Sequence, residues 1–210
     1  MKIKILLLLL IAACLSVTQS CCKTVCSSVP GTECEEVCPF EKTGVLFYLN
    51  KAAIHGSESW RDPLGFQAGA DFPVYFINYP LTVRAGALIS LQGANWQEGS
   101  LEGKTSLWYA YVPVVLRYQH SSGFYGEAGL QPGILLSAQD KYEGTSENYM
   151  DYMNRFDLSV PIEVGYNFKN NIGVNFRVTP GITDITQDED EKDVNFVLGL
   201  GLTYTFDLKK

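Results

Sequence analysis

The stretch from Asp193 to Phe206 constrains the fold most. Val194, Phe196, Leu198, Leu200, Leu202, Tyr204 and Phe206 alternate there with Asn195, Val197, Gly199, Gly201, Thr203 and Thr205. A side-chain period of two marks an extended strand with one apolar face and one small, mostly polar face. Soluble strands average about five or six residues, whereas a strand that crosses a bilayer needs roughly nine to eleven. This one is long enough to cross. The edge of a water-soluble β-sandwich would alternate equally well, so the pattern must recur for the membrane reading to hold.

It recurs along the chain. Leu64, Phe66, Ala68, Ala70, Phe72, Val74 and Phe76 face away from Gln67, Gly69 and Asp71. After the short link Ile77 to Pro80, Leu81, Val83, Ala85, Ala87, Ile89 and Leu91 alternate with Thr82, Arg84, Gly86, Ser90 and Gln92. A loop is expected over Gly93 to Thr105. Trp108, Ala110, Val112, Val114, Leu116 and Tyr118 form the next apolar face, with Arg117 opposite. Beyond the turn Gln119 to Gly123, Phe124, Ala128, Leu130, Ile134 and Leu136 oppose Tyr125, Glu127, Gly129, Gln131 and Gly133. The longest polar loop is expected over Ser137 to Met153. Phe156 to Phe168 and Ile172 to Thr183 supply two more strands, turned by Lys169-Asn170-Asn171, and the acidic loop Asp184 to Lys192 precedes the closing strand. The first strand, Gly44 to Asn50, is apolar on both faces, so its register is not readable.

Eight strands with alternately short and long links predict an all-β fold, an antiparallel up-and-down transmembrane β-barrel. A lipocalin-like soluble barrel also has eight strands but hides its apolar face in the lumen. Here the polar face carries Asp71, Arg84, Arg117, Glu127, Glu163 and Arg177, and the apolar face is nearly free of charge. A single Arg or Lys on a lipid-facing position at mid-depth costs roughly 2–4 kcal/mol, which explains a charge-poor face. Phe76, Tyr118, Phe124, Tyr166, Phe168, Tyr204 and Phe206 fall at strand ends beside the short turns, as an interfacial girdle would. Pro113, Pro132, Pro161 and Pro180 lie inside these strands and predict bulges or ladder defects.

An eight-stranded barrel is just wide enough for side chains, so a plugged lumen is expected. Pairing Phe168 with Ile172 places Glu163 opposite Arg177. Similar arithmetic puts Glu127 diagonal to Arg117 and Asp71 diagonal to Arg84. Such neighbours form ion pairs that satisfy one another in a desolvated interior; a gate or proton path is the functional alternative.

Residues 1–20 read as an export signal: Lys2 and Lys4 precede the apolar run Ile5 to Ala13. Residues 21–42 form a cysteine-rich segment on the periplasmic side, and residues 43–210 the barrel. Cys22, Cys26, Cys34 and Cys38 are twin i, i+4 pairs around Pro30-Gly31, which two bridges could staple if each pair sat on a short helix. Cys21 directly follows the signal and resembles the lipid acceptor of bacterial lipoproteins. Ile11-Ala12-Ala13-Cys14 matches that box better locally but would leave an odd number of cysteines. Plain cleavage with a free or intermolecular thiol at Cys21 is the other reading. A zinc site is disfavoured in an oxidising compartment, and no cofactor is expected.

The net charge of −7 over 210 residues argues against nucleic acid, which demands a basic surface. Asp188 to Glu191 could hold calcium, although an acidic loop tip is ordinarily just solvated. A lipid-modifying enzyme would need an activated nucleophile. The histidines, His55 near Ser57 and Ser59 and His120 beside Ser121 and Ser122, lack an acid partner held on a strand.

The stretches Trp108 to Tyr118, Phe124 to Leu130 and Gly199 to Phe206 resemble the PorT-like outer-membrane β-barrel family over roughly residues 64 to 206. The resemblance implies an eight-stranded barrel in the outer membrane of a Gram-negative bacterium, with both chain ends periplasmic. It implies outer-membrane lipid as surroundings, an unidentified protein partner, and no shared chemistry. Gly201-x-x-Tyr204-x-Phe206 also resembles the terminal signal read by the barrel-insertion machinery, although Asp207 to Lys210 follow it.

Overall fold

The structure, a computed structural model, describes residues 23–25, 35–37, 42–55, 60–61, 64–78, 80–98, 101–142, 144–187 and 193–207. Two three-residue strands, β1 (Lys23–Val25) and β2 (Glu35–Val37), pair antiparallel ahead of the main sheet. Short helices were expected around the cysteines. Instead, the β-branched Thr24, Val25 and Val37 sit in an extended hairpin, which suits their stiff side chains. The cysteines themselves, the export signal and the acidic tip Asp188 to Glu191 lie outside the described residues.

The remaining strands form one sheet: β3 (Lys42–His55), β4 (Trp60–Arg61), β5 (Leu64–Asn78), β6 (Leu81–Glu98), β7 (Leu101–Tyr111), β8 (Val114–Gln119), β9 (Phe124–Tyr142), β10 (Thr145–Asn148), β11 (Phe156–Ser159), β12 (Ile162–Asn167), β13 (Ile172–Pro180) and β14 (Val194–Asp207). β7 continues into β8, and β11 into β12, each as one stave. The staves run β3, β5, β6, β7–β8, β9, β11–β12, β13, β14, and β14 pairs back onto β3 from Val194↔His55 to Asp207↔Lys42. Among the described residues eight staves therefore close into a barrel, and β4 and β10 extend β6 and β9 beyond it.

Which face looks outward decides the solvent. Val45, Phe47 and Leu49 point out from β3, whereas Leu46, Tyr48 and Asn50 point in. On β14, Leu200 is 68% and Leu202 56% exposed, while Asn195, Gly199, Gly201 and Thr203 are buried. The apolar face is thus the outside and the polar face the lumen, the reverse of a lipocalin. Rings gather at the short-turn rim: Phe124 and Tyr166, Tyr166 and Phe168, and Tyr204 and Phe206 meet edge-on at 4.8, 4.9 and 4.9 Å.

Two expectations change. The loops expected over 93–105 and 137–153 are largely strand, because β6 runs to Glu98, β7 begins at Leu101, and β9 reaches Tyr142 before turning into β10. The apolar alternation stops there because hydrocarbon no longer faces the strand, yet backbone pairing continues. The prolines prove to be ladder defects, the second of the two forms expected of them, and not bulges. Pro113 and Pro161 interrupt staves, but the register is the same on both sides of each break. Their carbonyls still accept from the neighbouring stave, as do those of Pro132 and Pro180: Gly86 N to Pro113 O, Val112 N to Pro132 O, Gly129 N to Pro161 O, Val160 N to Pro180 O. Only the donor is lost. True register shifts lie elsewhere, at Pro73/Tyr75, at Phe76/Asn78 and at Trp108/Tyr109.

Candidate functional site: the barrel interior

The lower lumen, nearest the short turns, holds a ladder of alternating charge. Arg84 Nε lies 2.6 Å from Asp71 Oδ2. Arg117 reaches Asp71 at 3.6 Å through Nη2 and Glu127 at 2.6 Å through Nε. Arg177 reaches Glu127 at 3.2 Å and Glu163 at 2.7 Å. Each of these side chains is at most 9% exposed. Glu163 sits directly opposite Arg177, and Asp71 sits diagonal to Arg84 across the Asp71↔Gly86 pair. Glu127 sits directly opposite Arg117 instead of diagonal. The turn is responsible: His120 N bonds Phe124 O, which moves the pairing by one step.

Three guanidiniums and three carboxylates leave the ladder neutral. That is the condition for tolerating charge in a desolvated interior, since a lone buried ion costs several kcal/mol. Two tyrosines complete it. Tyr48 and Tyr125 donate to the two oxygens of Glu163 at 2.8 and 2.7 Å. Arg177 lies over the Tyr48 ring at 4.6 Å and Arg117 over the Tyr125 ring at 4.2 Å, where the ring faces attract the cations. Below them Asn175 donates to Tyr125 Oη at 3.1 Å and to Thr203 Oγ1 at 2.8 Å.

Room for these rings comes from glycine. Tyr48 pairs with Gly201, Tyr125 with Gly165 and Tyr111 with Gly133, each directly across the ladder. A Cβ on any of the three glycines would fall on the facing ring. The inward glycines are therefore beds for inward tyrosines, a packing need and not a turn signal.

Further up, the lumen is mostly polar, and Asp157 is fully buried there. Tyr111 donates to it at 2.6 Å and Thr183 at 3.1 Å. Gln92 donates to Tyr111 Oη and to Ser90 Oγ, and Gln67 donates to Ser90 Oγ. Towards the long-loop end, the segment around the 3₁₀ turn Met150–Tyr152 meets the segment after β13, an irregular pairing termed the cap. Met153 bridges Thr186, Asn154 N donates to Ile185 O at 2.9 Å, and Asn154 Nδ2 donates to Asp184 O and Thr186 O. Met153 and Ile185, 1% and 0% exposed, enter a cluster with Leu107, Tyr109, Leu135 and Ala138.

Sequence reasoning did not single out Tyr48, Tyr125, Asp157 or this cap. The inward tyrosines opposite glycines offered a usable signal. Met153 and Ile185 offered only isolated apolar residues within polar stretches. His120 Nδ1 contacts Ser122 Oγ at 2.7 Å in an exposed turn, and no carboxylate stands behind it among the described residues. Those residues also hold no cluster of three or more His, Cys, Asp or Glu that could bind a metal.

Residues 42–187 match the family described as outer membrane protein beta-barrel domain. The chain belongs to that family. This outer-membrane barrel also superposes on solved structures. Neisserial surface protein A aligns at a TM-score of 0.56 and 14% identity, over 78% of this chain and 97% of that one. OprG of Pseudomonas aeruginosa aligns at 0.46 and 13%, over 80% and 97%. Ail, the attachment invasion locus protein of Yersinia pestis, aligns at 0.41 and 16%, over 78% and 99%. The first shares the fold. No curated protein sequence matches the chain significantly.

Proposed function

We propose that the chain is a non-enzymatic surface barrel whose lumen is closed, and that it acts through the long-loop end. The observation that carries this reading is the continuous run of ion pairs from Arg84 to Glu163, which bridges six staves across the lower lumen. An eight-stave barrel leaves no bore once such side chains meet. The apolar cap at Met153 and Ile185 supports it from the other end.

In this reading the family member is PorT-like, both chain ends are periplasmic, and the long loops, including the acidic stretch, face the cell exterior. Its surroundings are outer-membrane lipid, its assembly uses the insertion machinery acting on Gly201 to Phe206, and a protein partner meets the loops. Cys21 is a lipid acceptor, and Cys22, Cys26, Cys34 and Cys38 are bridged; fatty-acid labelling and non-reducing mass mapping check these separately. The test of the closed lumen is planar-bilayer recording with the full chain. No conductance above the bare bilayer is expected, and stable ohmic steps would overturn it.

A further inference from the structure

We propose that a phosphate-bearing headgroup of the outer leaflet, of the lipid A class, docks against Lys104 and Lys141. The proposal rests on the reading that the long-loop end faces the cell exterior. Lys104 of β7 and Lys141 of β9 are directly opposite one another, both exposed on the outer face of the wall. Like charges at that spacing repel and are disfavoured. Among the described residues neither lysine makes an ion pair. Asp140 of β9 and Glu147 of β10 face the other side of the sheet, and Tyr142 Oη donates to Glu147 there. Glu102 is two positions from Lys104 on the outer face, and Glu143 is two positions from Lys141 in sequence.

Around the lysines the outer face carries uncharged hydrogen-bonding groups. Asn95 is opposite Lys104, Ser146 is opposite Lys141, and Gln139 lies between Ser106 and Asn148. Height selects the partner. From Phe124 to Leu136, β9 rises by roughly 30 Å at about 3.3 Å per residue and a tilt near 40°, which spans the apolar band. At the same rise Gln139 lies about 8 Å and Lys141 about 13 Å above that band, so a lysine stem turned down along the wall brings its ammonium to the headgroups. Lysine stems reach along apolar surface while their ammonium groups stay at the interface, as this position requires. Two ammonium groups amid amides and hydroxyls match a phosphorylated sugar headgroup, and their repulsion ends when an anion sits between them.

The full chain, refolded in neutral detergent, is mixed with bisphosphoryl lipid A and examined by native mass spectrometry. Dephosphorylated lipid A with the same acyl chains serves as the second probe. The wild type is expected to retain the phosphorylated lipid preferentially, and less so as salt rises. Near a charged lipid surface each lysine is worth about fivefold, so Lys104→Gln with Lys141→Gln is expected to lose about 30-fold. The double arginine variant is expected to keep retention, and Lys169→Gln, at the opposite rim, to leave it unchanged; a heat-modifiability gel confirms that each variant folds. Equal retention of both lipids by the wild type, or undiminished retention by the double glutamine variant, would overturn the proposal. Orientation is read independently, from protease cutting of a site inserted after Gly144 on intact cells. Protection there would sink the outward reading and leave the phosphate result to stand or fall by itself.

Discussion

The two ends of the lumen are lined by opposite means. At the short-turn end, charged side chains rise from rigid staves and satisfy one another. At the long-loop end, two apolar side chains are carried in by irregular segments held by a few backbone and amide bonds. The ladder rises from fully paired staves, whereas Met153 and Ile185 sit on irregular segments joined by an isolated bridge. Side chains on paired staves come loose only with the wall. Side chains on irregular segments can come loose alone, because stability is not uniform across a fold.

The hardest test of this contrast is Glu163→Ala. It removes the acceptor shared by Arg177, Tyr48 and Tyr125 and leaves Arg177 facing Glu127 alone. Breaking a buried pair in this way costs about 3–5 kcal/mol. Equilibrium unfolding in urea, with the barrel in detergent, is expected to show that loss as a global shift of the midpoint with an unchanged slope. A loss below about 1 kcal/mol would mean that the ladder is solvated and the two ends do not differ.

The cap is expected to give a smaller and local effect. Met153→Ala and Ile185→Ala each delete a buried apolar side chain, for which about 2 kcal/mol is the low end of the usual range. The loss should appear in hydrogen exchange of residues 149–155 and 181–187, while amides of β13 and β14 keep their protection. A matching drop in those staves would show cap and wall to be one cooperative unit.

The same division governs what could be read from the sequence. Stave positions follow from period two, and the ladder follows from staves plus turn lengths, so Glu163 and Arg177 were placed correctly once Phe168 was paired with Ile172. Arg117 and Glu127 were off by one step because the turn at His120 is tighter than its composition suggested. Tyr48 was hidden for another reason: Val45 to Leu49 is apolar on both faces, so only the closure against β14, where Tyr48 meets Gly201, fixes which way it points. The cap has no period at all. Met153 and Ile185 meet through a contact between distant segments, and local pattern cannot report that.

Thr183 is where the two regions touch, and it offers the finest discrimination. Its hydroxyl donates to Asp157 Oδ1 at 3.1 Å and accepts from Leu158 N at 2.7 Å, tying the chain just after β13 to the buried middle of the lumen. Thr183→Val keeps the shape and removes both bonds, a change worth about 1 kcal/mol for ordinary hydrogen bonds. If the cap is a layer held from below at this point, exchange should rise over residues 181–187 by about fivefold and the urea midpoint should hardly move. If the midpoint moves by the full amount and exchange rises evenly, Thr183 belongs to the wall. The boundary between ladder and cap would then lie above it, among the bonds that Asn154 and Gln187 donate to Thr186 O and Met153 O.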